Sequence, residues 1–168
     1  SIISAMTRLG EQQDTLFIGQ TVSAGGSYLG ATLSGVPESK RIEWPVAEEM
    51  QLGVSLGLGL QGFCVISVYP RMDFLLLAIS QLVNHVDKIG VMSEGKMRPH
   101  LIIRTSIGPK KPLDGGPQHT GNYADAIRRM LTTVKVCEVR TPRLVTEIYR
   151  RAYEEKGTWL IVEDGGLY

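Results

Sequence analysis

Glu48 heads an apolar stretch, and its surroundings favour proton chemistry. The segment reads Trp44-Pro45-Val46-Ala47-Glu48-Glu49-Met50-Gln51-Leu52-Gly53-Val54-Ser55-Leu56-Gly57, and no charged residue follows Met50 until Arg71. A carboxylate beside such a run is expected to lose part of its hydration. Desolvation disfavours the charged form, raises the pKa and suits the group to exchanging protons. Glu48 therefore reads as a carboxylate that acts on a bound cofactor, with much of the chain serving to place it.

Other chemistry-bearing residues give weaker signals. Gly57-Leu58-Gly59-Leu60-Gln61-Gly62 matches G-x-G-x-x-G, but a dinucleotide fingerprint needs a strand before it and a helix after it. Here a helix precedes and a strand follows, so that reading is rejected. Gly53 and Gly57, one helical turn apart, read instead as a notch for close packing by another helix. Gly59 and Gly62 read as the end of the helix. His119 sits in a loop punctuated by Gly and Pro, whereas His85 and His100 lie in a helix and at a strand start and read as structural. Lys110 and Lys111 in that loop could meet an acidic substrate or only solvent. Cys64 and Cys137 lie in strand-like runs and read as buried, reduced thiols, which suits a reducing, cytoplasmic setting.

The elements that must position these residues follow from periodicity. Helices are expected over residues 2–12, 47–60, 72–89, 123–131 and 142–155. Strands are expected at 15–19, 40–44, 63–69, 100–105, 134–139 and 159–163. Residues 20–37, rich in Gly, Ser and Thr, read as a long loop with one helical turn, and 106–121 as a second loop. The strands are continuous apolar runs that alternate with helices. That pattern specifies an α/β fold: a doubly wound, mainly parallel sheet with helices on both faces. Ligands in such sheets sit beyond the carboxyl ends of the strands, which directs attention to the loops after Trp44 and Thr105.

The 168 residues suffice for one domain with a real core. A formal net charge of +1 gives no electrostatic reason to expect nucleic acid or an acidic membrane as partner. The longest uncharged run, Met50 to Pro70, is broken by glycines, serines and glutamines, so a membrane span is not expected. The start of the chain turns polar too soon for a secretory signal.

From about Met6 to Tyr168 the sequence resembles the pyrimidine-binding domain of thiamine diphosphate enzymes. The likeness is greatest to the beta subunit of the first component of 2-oxo acid dehydrogenases, with transketolase more distant. Pro45-Val46-Ala47-Glu48, followed by Gly53 and Gly57, resembles the family's glutamate-helix motif, departing at Leu58 where many members have glutamine. Tyr69-Pro70-Arg71-Met72-Asp73-Phe74 with Gln81-Leu82-Val83-Asn84 resembles a segment running from an aromatic residue and "DF" into "DQ-x-x-N", with Ser80 in place of the aspartate. Ile103-Arg104-Thr105-Ser106-Ile107-Gly108 and Gly116-Pro117-Gln118-His119-Thr120 resemble "IRTPxG…GPQHS".

The resemblance implies thiamine diphosphate as cofactor. It implies that Glu48 bonds a ring nitrogen of the aminopyrimidine and favours the imino tautomer, which takes the proton from the thiazolium carbon. Glu48 is preferred to Glu49 because it has the motif spacing to Gly53; Glu49 reads as a solvated carboxylate that complements the helix dipole. Phe74 aligns with the aromatic that packs on the pyrimidine, core packing being its alternative. Tyr69 joins the cofactor-binding set, and His119 faces the substrate and stabilises charge on the adduct. Such enzymes hold the diphosphate through magnesium on a second domain carrying "GDG" and a later asparagine, and their beta subunits continue into a C-terminal domain. Here only Glu163-Asp164-Gly165-Gly166 comes near the first. The expectation is a single pyrimidine-binding domain over 1–168, either an excised fragment or a stand-alone subunit. It would need a diphosphate-binding partner chain that holds the magnesium, in a heterotetramer. The implied reaction is decarboxylation of a 2-oxo acid with acyl or aldehyde transfer. A transketolase-like or acyloin-type carboligase subunit is the alternative enzyme, and a non-catalytic structural or regulatory partner is the alternative of another class.

Overall fold

The computed structural model describes residues 1–111 and 114–168. Six parallel strands form one sheet: β1 (Thr15–Gly19), β2 (Arg41–Glu43), β3 (Cys64–Tyr69), β4 (His100–Ile107), β5 (Lys135–Val139) and β6 (Thr158–Asp164), in the order β2-β1-β3-β4-β6-β5. Among the described residues seven α-helices accompany them: α1 (Ile2–Gly10), α2 (Tyr28–Ala31), α3 (Glu48–Leu60), α4 (Met72–Leu75), α5 (Ile89–Met92), α6 (Ala124–Met130) and α7 (Pro142–Glu154). None is long and apolar enough on its own to cross a membrane.

Successive strand residues point to opposite faces, so each apolar run feeds two cores. Phe17, Ile66, Ile102 and Ile161 pack with Met6 and Leu9 of α1 and Val145 and Tyr149 of α7. Ile18, Val65, Ile103 and Leu160 pack on the other side with Leu52 of α3, with Ile127 of α6, and with Leu82. This two-sided burial is why the strands read as continuous apolar runs. Helix ends follow local chemistry. Ser1 caps α1 by accepting from the Ser4 amide at 3.3 Å, and Pro142 opens α7, where a missing N–H costs nothing.

Three sequence expectations change. Residues 72–89 do not form one helix. Met72–Ala78 and Gln81–Met92 are bent by 62°, through a 3₁₀ turn at Leu76–Ala78 and a π turn at Gln81–Val86. The wide turn, in which the Asp87 amide donates to the Leu82 carbonyl at 2.9 Å, buries Leu82, Val86 and Asp87 together. The buried Asp87 carboxylate then accepts from the amides of Thr132 at 3.0 Å, Thr133 at 2.7 Å and Val134 at 3.1 Å. Gly59 does not end α3. It lies inside the last turn, where an added Cβ would come 2.8 Å from Leu101 Cδ2. Gly62, at φ +100°, terminates the helix. The expected thiol burial also divides: Cys64 is buried, Cys137 only half-buried, and both are free.

Along the sheet the chain moves outward from β1 to β2 and then returns to β3 on the other side of β1. The segments leaving β1 and β3 therefore diverge, and a crevice opens at their carboxyl ends.

Candidate functional site

Glu48 begins α3 and is buried, 5% exposed, while Glu49 faces solvent. A polar strip under an otherwise apolar helix fixes its position. The Tyr69 hydroxyl donates to the Glu48 backbone carbonyl at 3.3 Å. Gln51 Nε2 donates to Ser67 Oγ at 3.1 Å and to the Val68 carbonyl at 3.0 Å. Ser55 Oγ bonds Ser67 Oγ at 3.0 Å and the Gln51 carbonyl at 2.8 Å. Each bond is worth about 1 kcal/mol net, but a buried group left without its partner costs about 1–3, so α3 is held to β3 in one register. Tyr69 is fully buried. Burial pushes its pKa up, so it stays a donor. Its ring has no open surface for a ligand: where the sequence placed it among cofactor contacts, the structure puts it behind Glu48.

The Glu48 carboxylate meets Gln20, whose Nε2 donates to Oε1 at 3.3 Å. Oε2 has no hydrogen-bond partner among the described residues. Glu48 lines a recess of about 590 Å³ together with Ala47, Glu49, Met50, Leu77 and Gln81. Met50 at 58% and Leu77 at 63% exposure are its exposed apolar side chains. The Gly53–Gly57 face of α3 is not filled within this chain. A Cβ at Gly57 would meet nothing within 4 Å, and one at Gly53 would make ordinary contact with Gln81.

A second cleft of about 590 Å³ lies at the crevice of the sheet. Gln20, Thr21 and Ser27 reach it from the segment after β1, Arg71 and Phe74 from the segment after β3, and His119 from the segment after β4. Gln20 thus connects the cleft to the Glu48 recess. Phe74 and His119 meet edge to face, ring centroids 5.6 Å apart and planes at 89°. His119 is placed by Gly108, whose amide donates to the His119 carbonyl at 3.0 Å. Only glycine fits there, since a Cβ would lie 2.1 Å from that carbonyl oxygen. His85 is exposed. His100 is buried and bonds the Ala152 carbonyl at 3.1 Å. Lys110 and Lys111 are exposed and lie outside the cleft's lining.

Besides Gln20 and Gln51, four residues were not singled out from the sequence. Glu43, at the end of β2, accepts from the amides of Ser23 at 2.7 Å and Ala24 at 3.0 Å, and from Thr21. Partial burial raises the Glu43 pKa, but these backbone bonds outweigh it and hold the carboxylate below its ordinary range. Arg71 has no carboxylate partner among the described residues. Its Nη1 donates to the Pro70 carbonyl at 2.7 Å and Ser106 Oγ at 3.2 Å. Arg104 and Glu163 form a fully buried ion pair, Nη2 to Oε2 2.9 Å and Nε to Oε1 3.0 Å. The Tyr149 hydroxyl at 2.5 Å and the Tyr168 hydroxyl also donate to Glu163. Acid–amide and Arg–Glu pairings 28 and 59 residues apart in the chain leave no periodic mark in a sequence. Among the described residues, no group of three or more His, Cys, Asp or Glu is placed to hold a metal ion.

Comparison with known proteins agrees with this geometry. The family model described as "Transketolase, pyrimidine binding domain" matches residues 2–168. "Pyruvate dehydrogenase E1 component subunit beta" of Chlorokybus atmophyticus is 25% identical over 160 residues, covering 94% of this chain and 47% of the relative. The protein of the same description from Mesostigma viride is 24% identical over 131 residues, 78% of this chain and 39% of the relative. This chain therefore spans less than half the length of those curated relatives. A solved structure described as "Split gene transketolase, inactive beta4 tetramer" superposes with a TM-score of 0.73 over 97% of this chain and 49% of that one, at 17% identity, and so shares the fold. The chain belongs to the transketolase pyrimidine-binding domain family.

Proposed function

We propose that this chain is the pyrimidine-binding part of a thiamine diphosphate enzyme acting on a 2-oxo acid, with Glu48 as the residue that activates the cofactor. The observation that carries the reading is Glu48: buried at the start of α3, one carboxylate oxygen accepting from Gln20, the other without a partner among the described residues, on the wall of a recess with Met50 and Leu77. An aminopyrimidine is flat, largely apolar and basic at a ring nitrogen, so a recess with the buried Glu48 carboxylate on its wall suits it. When bound, thiamine diphosphate supplies the carbon that adds to the substrate carbonyl and holds the resulting electron pair.

The chain's own residues have distinct tasks. Glu48 holds a proton against the pyrimidine nitrogen and passes it back, work that requires a carboxylate sheltered from bulk water. Gln20 orients that carboxylate, and Tyr69 and Gln51 fix the backbone behind it. Phe74 supplies an apolar wall, and His119, packed on its edge, offers a ring nitrogen on the substrate side. Diphosphate and magnesium are assigned to a partner chain carrying the GDG…N motif. The exposed apolar side chains of Val46, Met50 and Leu77 with the open Gly57 face support contact with that chain, in an assembly containing two copies of each.

The deciding experiment replaces Glu48 with Gln and reconstitutes the protein with the product of a neighbouring reading frame that carries GDG…N. Loss of turnover with 2-oxo acids, with assembly intact, is expected. Unchanged turnover overturns the assignment. A carboligase producing no acyl transfer from 2-oxo acids would show as turnover with sugar or aldehyde acceptors only.

A further inference from the structure

Arg71 has a role that cofactor activation does not use. It immediately precedes α4 in extended conformation, at the carboxyl end of β3. One edge of its guanidinium is fixed: Nη1 donates to the Pro70 carbonyl and Ser106 Oγ, and Ser106 Oγ in turn donates to the Pro70 carbonyl at 2.8 Å. The ends of β3 and β4 thus aim the fork. Its Nε and Nη2 have no acceptor among the described residues. The side chain lines both the large cleft and a smaller recess of about 170 Å³ beside Tyr28, Gly108 and His119. A half-buried cation loses hydration, and that cost is ordinarily offset by a counter-charge. Arg104, on the neighbouring strand β4, has Glu163 for this purpose, whereas Arg71 has only neutral acceptors among the described residues.

We propose that Arg71 is the anion-binding group of the cleft, taking the carboxylate or phosphoryl oxygens at the end of the substrate remote from Glu48. A planar, pre-aimed guanidinium whose Nε–Nη2 edge is free fits two oxyanion oxygens at once. The cleft is of the size that takes a small molecule. Arg71 does not line the Glu48 recess, and Gln20 and Phe74 lie on the cleft wall with it. Placement away from the reacting bond is chemically required. A guanidinium gripping a carboxylate that must leave as carbon dioxide would stabilise the ground state and slow the reaction. An anion distant from that bond is held equally before and during the step, so Arg71 sets affinity rather than rate. The word "substrate" rests on the function proposed above; the anion site rests on the geometry of Arg71 alone.

The test titrates the purified protein, in its native assembly, with sodium phosphate, pyruvate and 2-oxoglutarate at constant ionic strength, following the amide resonances of Gly108 and His119. Saturable shifts are expected with phosphate or with the dicarboxylate, and the tighter of the two identifies the oxyanion the site prefers. Arg71→Gln is expected to weaken that binding roughly tenfold or more, and Arg71→Lys, which keeps the charge but not the fork, to weaken it by a smaller factor. Arg129→Gln, at an exposed position, should bind as the parent does. Absence of saturation with all three probes overturns the proposal, as does parent-like affinity in Arg71→Gln. If Arg71→Gln does not fold, parent-like affinity in Arg71→Lys overturns it. Glu48→Gln separates the two readings. It should retain anion binding while losing turnover, so the anion site and the assignment of Glu48 can fail independently.

Discussion

The Tyr69 hydroxyl donates to the backbone carbonyl of Glu48 at 3.3 Å, so the last residue of β3 sets where α3 begins. Tyr69→Phe keeps the buried ring and deletes only this bond and the contact with Ser67. The expected cost is about 1 kcal/mol of stability. Turnover of the reconstituted enzyme should fall further than that, roughly ten- to hundredfold, because a carboxylate displaced by a fraction of an ångström transfers protons poorly. Thermal unfolding and steady-state kinetics on the same variant check both halves. A stability loss without a rate loss would confine Tyr69 to packing.

Two glycines on α3 should respond in opposite directions. Gly59→Ala drives a methyl against Leu101 Cδ2 at 2.8 Å and Pro99 Cβ at 3.3 Å, and overpacking of this kind costs about 1–3 kcal/mol. Gly57→Ala meets nothing within 4 Å and should stabilise the isolated chain by about 0.5–1 kcal/mol through helix propensity. If the Gly57 face receives the partner chain, the same methyl weakens assembly. Urea unfolding paired with sedimentation measures the two effects separately.

The Arg104–Glu163 pair is wholly buried, with Tyr149 and Tyr168 also donating to Glu163 and Arg104 Nη1 3.5 Å from the Leu29 carbonyl. Burial works against the Arg104 charge, but the Glu163 carboxylate beside it prevails and raises the guanidinium pKa. Arg104→Met leaves Glu163 charged and unpaired, and should cost about 3–5 kcal/mol. Arg104→Met with Glu163→Leu removes both charges and should recover part of that loss. Equal destabilisation of single and double variants in denaturant titrations would contradict the account.

Asp87 gives the fold an acid limb. Burial alone would raise its pKa, but donation from Thr133, Val134 and Thr132 outweighs this and holds it at about 2, below the ordinary carboxylate range. A carboxyl depressed in the folded state stabilises fully above its unfolded pKa and loses that contribution as pH falls toward the folded one. The protein should therefore lose ~2 kcal/mol from this group between about pH 4 and pH 2. Asp87→Asn should flatten the limb while lowering stability at neutral pH. Unfolding free energies measured across that range decide the matter.

Much of this architecture was legible in residues near one another in the chain. Runs such as Cys64–Tyr69 and His100–Ile107 announce a two-sided sheet because both of their faces are buried. The motif spacing to Gly53 selected Glu48 over Glu49, and burial now separates the two. What periodicity could not carry were tertiary pairings. The bend in 72–92 answers to Asp87 reaching Thr132–Val134, some 45 residues away. The loop after β1 is shaped by Glu43, and Arg71 is notable for the partner it lacks. Tyr69 was legible as an aromatic at the right place, but not as one facing the core.

The central claim is that Glu48 serves proton transfer on a bound aminopyrimidine. The most direct measurement is the rate of hydrogen–deuterium exchange at the thiazolium carbon of thiamine diphosphate in the complex of this chain with its diphosphate-binding partner, comparing the parent with Glu48→Gln. The account predicts a fall of about 10²- to 10⁴-fold with the cofactor still bound. Exchange at the parent rate in a saturated Glu48→Gln complex would contradict it.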